Sequence, residues 1–153
     1  QGSSSVSLLL GRGDGTFEEA RNYALPHPPD FVLAGDVDGD GDADLLVGSD
    51  DREDVAVLHG GSAGLAPPQR FDKGGRVRPS MAQDFDGDGH LDLAVLDKHH
   101  DRIGVLLGSG ENVFAEPVYF PVSPRPVGLV AGDFTHDGRP DLVVISPYAR
   151  TIL

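Results

Sequence analysis

The sequence predicts an all-β protein built from β-propeller blades, three four-stranded repeats of about 48 residues. Three observations predict it. An acidic motif returns at a fixed step: DVDGDGDADLLVG begins at Asp36, DFDGDGHLDLAVL at Asp84 and DFTHDGRPDLVVI at Asp133, so the first aspartates are 48 and 49 residues apart. A second marker keeps the same step, because the runs VSLLLG, VAVLHG and IGVLLG end at Gly11, Gly60 and Gly108. Finally, the chain carries 21 Gly and 12 Pro, and its apolar runs are short and bounded by Gly, Pro, Asp and Ser, which favours strands and turns over helices.

Within one period the elements follow in order. An apolar run leads in (Phe31 to Ala34, Pro79 to Ala82, Val127 to Ala131). The acidic loop follows, and then a compact strand of buried type: Leu45 to Val47, Leu93 to Leu96, Leu142 to Ile145. A polar turn (Ser49 to Asp54, Asp97 to Arg102) leads to a third strand, and a Gly-rich turn to a fourth, as in Val118 to Val122. Phe17, Phe71 and Phe114 are expected near the start of that fourth strand, packing blade against blade. The chain is thus read as one repeat array over residues 1–153. Residues 6–30 supply outer strands of a blade completed by another segment or chain, 31–78 form one blade, 79–126 the next, and 127–153 start a third, with Ile152 in register with Ile103. Closed propellers have about 4–8 blades. A partial propeller, or a ring completed by association of chains, is therefore expected; two copies would make six blades about a twofold axis.

Charge places the chemistry. The formal net charge is −13, yet 12 of the 20 Asp lie in the three acidic windows, and without them the balance is −1. These are local sites that require positive charge, not a generally acidic surface. An acidic chain does not suit phosphate backbones, so nucleic acid is not an expected partner. No apolar run is long enough to span a membrane. Cysteine is absent, which excludes disulfides and thiolate metal sites. No cationic and then apolar leader opens the chain, so no signal peptide is expected within it.

Hard divalent cations are held by several oxygens, and carboxylates at alternate loop positions converge when the backbone wraps. The first loop offers Asp36, Asp38, Asp40 and Asp44 at positions 1, 3, 5 and 9, the carbonyl of Asp42 at position 7 and a turn at Gly41. The second offers Asp84, Asp86, Asp88 and Asp92, with the carbonyl of His90 and the turn at Gly89. The third offers Asp133, Thr135, Asp137 and Asp141, with the carbonyl of Arg139 and the turn at Gly138. An EF-hand shares the opening D-x-D-x-D-G but needs a Glu at position 12 between helices; here position 12 is Val47, Val95 or Val144 within a strand. One such segment reads as a solvated turn; three in phase read as ion cages. Ca²⁺ suits them better than Mg²⁺, and no His or Cys cluster invites a transition metal. Two Ca²⁺ sites are expected, with a weaker third where Thr135 replaces a carboxylate and Arg139 adds positive charge. Weak calcium sites fill outside cells and not in cytosol, which favours a secreted or cell-surface location.

The segments AGDVDGDGDADLLVG, AQDFDGDGHLDLAVL and AGDFTHDGRPDLVVI, with LLGRGDGTF between repeats, resemble FG-GAP/VCBS repeats, the propeller repeats of integrin α-subunits and of many bacterial secreted proteins. The resemblance implies a β-propeller with calcium between the first two strands of each blade and an extracellular setting. Such repeats serve in adhesion proteins, in lectins and in polysaccharide-degrading enzymes, so the fold does not select one activity. The expected function is a non-catalytic extracellular calcium-binding module for adhesion, protein interaction or assembly. The alternatives are a carbohydrate-binding lectin propeller or the propeller part of a polysaccharide-active enzyme. Its partner is a protein or a glycan, or a second copy or the remainder of a longer propeller. Arg12-Gly13-Asp14 reads as a hairpin turn, His99 and His100 as a solvated turn, and no nucleophile with a base is evident.

Overall fold

The computed structural model describes residues 4–49, 54–72, 78–110 and 114–147. The polar turn at 50–53 and the register match expected at Ile152 lie outside the described residues. Among the described residues all twelve elements are strands: β1 (Ser5–Leu8), β2 (Arg21–Ala24), β3 (Phe31–Gly35), β4 (Asp44–Gly48), β5 (Asp54–Leu58), β6 (Gln69–Asp72), β7 (Arg78–Gln83), β8 (Asp92–Asp97), β9 (Arg102–Leu106), β10 (Val118–Pro121), β11 (Gly128–Gly132) and β12 (Asp141–Ile145). They form four antiparallel sheets, ordered β1-β2, β3-β4-β5-β6, β7-β8-β9-β10 and β11-β12. The fold is all-β, an open array of propeller-like meanders and not a closed barrel. No helix among the described residues is long and apolar enough to cross a membrane.

Period-two alternation explains the stacking of the sheets. In β8 every residue is buried because the strand has a neighbouring sheet on each face. Leu93 and Val95 point one way and pack with Val37, Leu46, Val57 and Leu106, sealing this sheet against β3–β6. Ala94 and Leu96 point the other way and pack with Ile103 and Leu129, sealing it against β11-β12. On the far side of β3–β6, Val47, Ala56 and Leu58 take Val6, Tyr23 and Leu25 of the β1-β2 hairpin. Fully burying each such Leu or Val stabilises the fold by about 1.5–3 kcal/mol. Compact runs such as DLAVLD are therefore required wherever a strand is sandwiched.

The first strand of each meander is innermost. β3 touches β7, and β7 touches β11. Phe31, Leu33, Arg78, Ser80, Gly128 and Leu129 line a shared cleft of about 420 Å³. The loops after β3, β7 and β11 hence leave the same edge of neighbouring sheets, and these are the three acidic loops.

Phe17, Phe71 and Phe114 do not share one place at the start of the fourth strand, as the sequence predicted. Glu18, Ala66 and Ala115 N–H donate to the carbonyls of Leu10, His59 and Leu107, so Phe17, Leu65 and Phe114 are the equivalent residues, and Phe71 belongs six residues later in β6. Phe17 and Phe114 bridge Gly11 and Gly108 ahead of the outer strand. Phe114 packs on the cluster around Leu93, whereas Phe17 is exposed. Burial at this place depends on a neighbouring sheet, which a repeat of Phe in the sequence does not report.

Candidate metal centre

Each acidic loop joins the first two strands of a meander, and its carboxylates are oriented by its own backbone. The N–H at position 6 donates to the position 1 carboxylate: Gly41 to Asp36 at 2.9 Å, Gly89 to Asp84 at 3.0 Å and Gly138 to Asp133 at 3.0 Å. The N–H at position 7 donates to the position 5 carboxylate: Asp42 to Asp40, His90 to Asp88 and Arg139 to Asp137, at 2.8, 2.8 and 2.9 Å. The N–H at position 2 donates to the position 9 carboxylate: Val37 to Asp44, Phe85 to Asp92 and Phe134 to Asp141, at 2.8, 2.7 and 2.9 Å. This wrap needs two left-handed residues. Position 6 is Gly41, Gly89 and Gly138, and position 4 is Gly39, Gly87 and His136, all with φ between 58° and 91°. The position 4 requirement is absent from the expectation read off the sequence, and His136 meets it with a side chain.

The glycine that marks the repeat closes the loop from behind. Gly60 N–H donates to Asp44 Oδ1 and Gly108 N–H to Asp92 Oδ1, both at 2.8 Å. A Cβ on Gly60 would lie 2.2 Å from the Ala43 carbonyl oxygen, and one on Gly108 would lie 2.1 Å from that of Leu91. Only glycine lets the end of the third strand come close enough to clamp the position 9 carboxylate.

Position 9 is buried in the first two loops, where Asp44 and Asp92 are both 0% exposed, and half-buried at Asp141 in the third. Burial raises the Asp92 pKa, and the charges of Asp86 and Asp88 push the same way against the N–H groups of Gly108 and Phe85. Asp84 is held below the usual carboxylate range, chiefly by the Gly87 N–H. Charged oxygens are thereby gathered around a buried carboxylate that resists ionisation, an arrangement that a bound cation would relieve.

Side-chain ligand atoms within 4.8 Å of one another come from Asp36, Asp38 and Asp40 in the first loop and from Asp84, Asp86 and Asp92 in the second. These acidic groups could hold a metal ion, and their all-oxygen donor sets fit a hard divalent cation. Asp88 does not join the second group. Asp42, His90 and Arg139 bring their backbone to the loop, and the His90 ring lies against Gly110. Among the described residues, Asp133, Asp137 and Asp141 form no such group with Thr135 between them; Asp141 Oδ2 instead accepts the N–H groups of both Phe134 and Thr135.

A third grouping, Asp38, Asp44 and His59, joins the first loop to the end of β5. The sequence predicted no histidine side chain as a ligand at an acidic loop. His59 escapes a pattern confined to the loop because it arrives from the third strand, one residue before the clamping Gly60. Elsewhere, Arg12-Gly13-Asp14 is an exposed turn in which Asp14 accepts the Thr16 N–H and hydroxyl.

A family model described as FG-GAP-like repeat matches residues 1–47 and 84–144. No curated protein matches the chain.

Proposed function

Because this chain belongs to the FG-GAP-like repeat family, we propose that it is a non-catalytic, extracellular, calcium-stabilised propeller module that serves adhesion, protein interaction or assembly. The observation that carries this reading is the repeated acidic loop, whose carboxylates are aimed by the same N–H bonds three times over and gathered in two loops to within 4.8 Å. Asp36, Asp38, Asp40 and Asp44 would hold the first ion, with the Asp42 carbonyl. Asp84, Asp86, Asp88 and Asp92 would hold the second, with the His90 carbonyl. Asp133, Thr135, Asp137 and Asp141, with the Arg139 carbonyl, form a weaker third site. Bound calcium supplies charge balance for the loops. The residues themselves set the loop shape and hold one edge of the sheets rigid for a partner. Weak all-oxygen sites fill at extracellular calcium levels, which supports a secreted or surface setting.

The repeat register supports completion of the outer hairpin β1-β2 and the inner pair β11-β12 by further strands, from a second copy or from the remainder of a longer propeller. The blade divisions at 31–78, 79–126 and 127–153 belong to the same proposal. Native mass spectrometry with and without chelator tests ions and subunits together. Two or three calcium ions per chain are expected; a mass unchanged by calcium at millimolar concentration refutes the ion role. A glycan-binding reading has one observation in its favour: a cleft of about 480 Å³ where Phe85, Asp86 and Phe120 meet. A glycan-dependent rise in melting temperature would select it.

A further inference from the structure

The first loop differs from the second in one side chain that the acidic motif does not contain. His59 is the equivalent of Leu107, since each directly precedes the marker glycine and its carbonyl accepts an N–H from across the following turn, from Ala66 and Ala115. Its side chain is 15% exposed, and Nδ1 lies 3.1 Å from Asp38 Oδ2 and 3.4 Å from Asp44 Oδ1. Both approaches are at ion-pair distance but neither has hydrogen-bond geometry, so the buried Nδ1 has no hydrogen-bond partner. A buried polar nitrogen left unsatisfied is costly, and native proteins rarely keep one. His90 Nδ1 is also buried and unpartnered, but it faces Gly110, where a Cβ would come within 2.4 Å. At His59 the nitrogen faces carboxylates instead. Asp38 gives one oxygen to the Asp40 N–H and turns the other to the imidazole. Asp44 is locked by Val37 and Gly60, and each of its oxygens retains a second lone pair.

We propose that His59 Nδ1, Asp38 and Asp44 form a mixed nitrogen–oxygen site that gives the first loop affinity for a first-row transition divalent ion, Zn²⁺ foremost. Imidazole with carboxylates suits such ions, whereas the second loop, with Leu107 in place of the histidine, offers oxygen alone. The two loops then differ in selectivity although their acidic motifs are nearly identical. This proposal rests on the reading that the loops take divalent cations.

The test compares the parent chain with His59→Leu, which installs the side chain the protein already carries at the same place in its next repeat, and with Leu107→His. Zn²⁺ and Ca²⁺ are titrated separately by calorimetry, and the imidazole nitrogen resonances are followed by NMR. The parent should bind one Zn²⁺ at least about tenfold more tightly than His59→Leu, with the His59 Nδ1 resonance moving at one equivalent. Ca²⁺ stoichiometry should stay the same in both. Leu107→His should gain a second tight Zn²⁺. Equal Zn²⁺ affinity in the parent and His59→Leu, or an unmoved His59 resonance, overturns the proposal while leaving the calcium reading intact. Failure of every chain to bind Ca²⁺ or Zn²⁺ overturns both.

Discussion

Replacing Gly108 by Ala tests whether the glycine marker and the position 9 aspartate are one device. The added Cβ would sit 2.1 Å from the Leu91 carbonyl oxygen and 3.1 Å from its carbonyl carbon. Both obstacles are backbone, so no rotamer change relieves them. Restoring van der Waals contact requires the end of β9 to retreat by about 1 Å. The Gly108 N–H bond to Asp92, now 2.8 Å, then stretches out of range. Overpacking costs about 1–3 kcal/mol, and loss of a hydrogen bond to a buried charged group about 1.5–3 kcal/mol. The expected destabilisation is about 2.5–6 kcal/mol, a large share of a domain stability of about 5–15 kcal/mol. Urea denaturation followed by circular dichroism measures it. Gly61→Ala is the control, because its Cβ would meet nothing closer than 3.9 Å. That variant should stay within about 1 kcal/mol of the parent. If Gly108→Ala is as mild as Gly61→Ala, the clamp does not exist and the marker glycine needs another explanation.

Three further outcomes are expected. Removing calcium with chelator should lower stability by about 2.7 kcal/mol per site relative to calcium at 100-fold its dissociation constant, read from denaturation midpoints in both conditions; identical midpoints contradict an ion-stabilised fold. Gly87 has φ of 84° and open space around its Cβ position, so Gly87→Ala should cost about 1–2 kcal/mol through backbone strain alone, and Gly87→Asn clearly less; equal losses in the two variants would refute a left-handed requirement at position 4. Asp97 is 3% exposed and accepts bonds from His100 Nδ1 and Arg102 Nε, both at 2.8 Å. Burial pushes its pKa up, but the bonds and charges of Arg102 and His100 outweigh it and hold the carboxyl below its ordinary value of 3.8. The unfolded chain thus takes up this proton first. Its stabilisation is complete above the ordinary value and is lost as pH falls through the folded one. Asp97→Asn should cost about 1–3 kcal/mol near neutral pH, and the gap to the parent should close in strong acid; a gap independent of pH would mean that the charge of Asp97 plays no part.

Whatever repeats along the chain was legible in its residues alone. The step from Asp36 to Asp84 to Asp133 and the sandwiched runs such as Leu93 to Leu96 specify the strand order and the acidic loops, because loop wrapping and strand alternation are local and each copy restates them. The tertiary structure alone decided what arrives from a neighbouring strand or sheet. It brought Gly60 and Gly108 against the loops, set Leu65 and not Phe71 in register with Phe17, and left Phe17 exposed where Phe114 is covered. It also carried His59 across from the end of β5 to within 3.1 Å of Asp38. Such approaches depend on how antiparallel partners align and how sheets stack, and no spacing within a single loop encodes the distance between groups that meet only once the meander has closed.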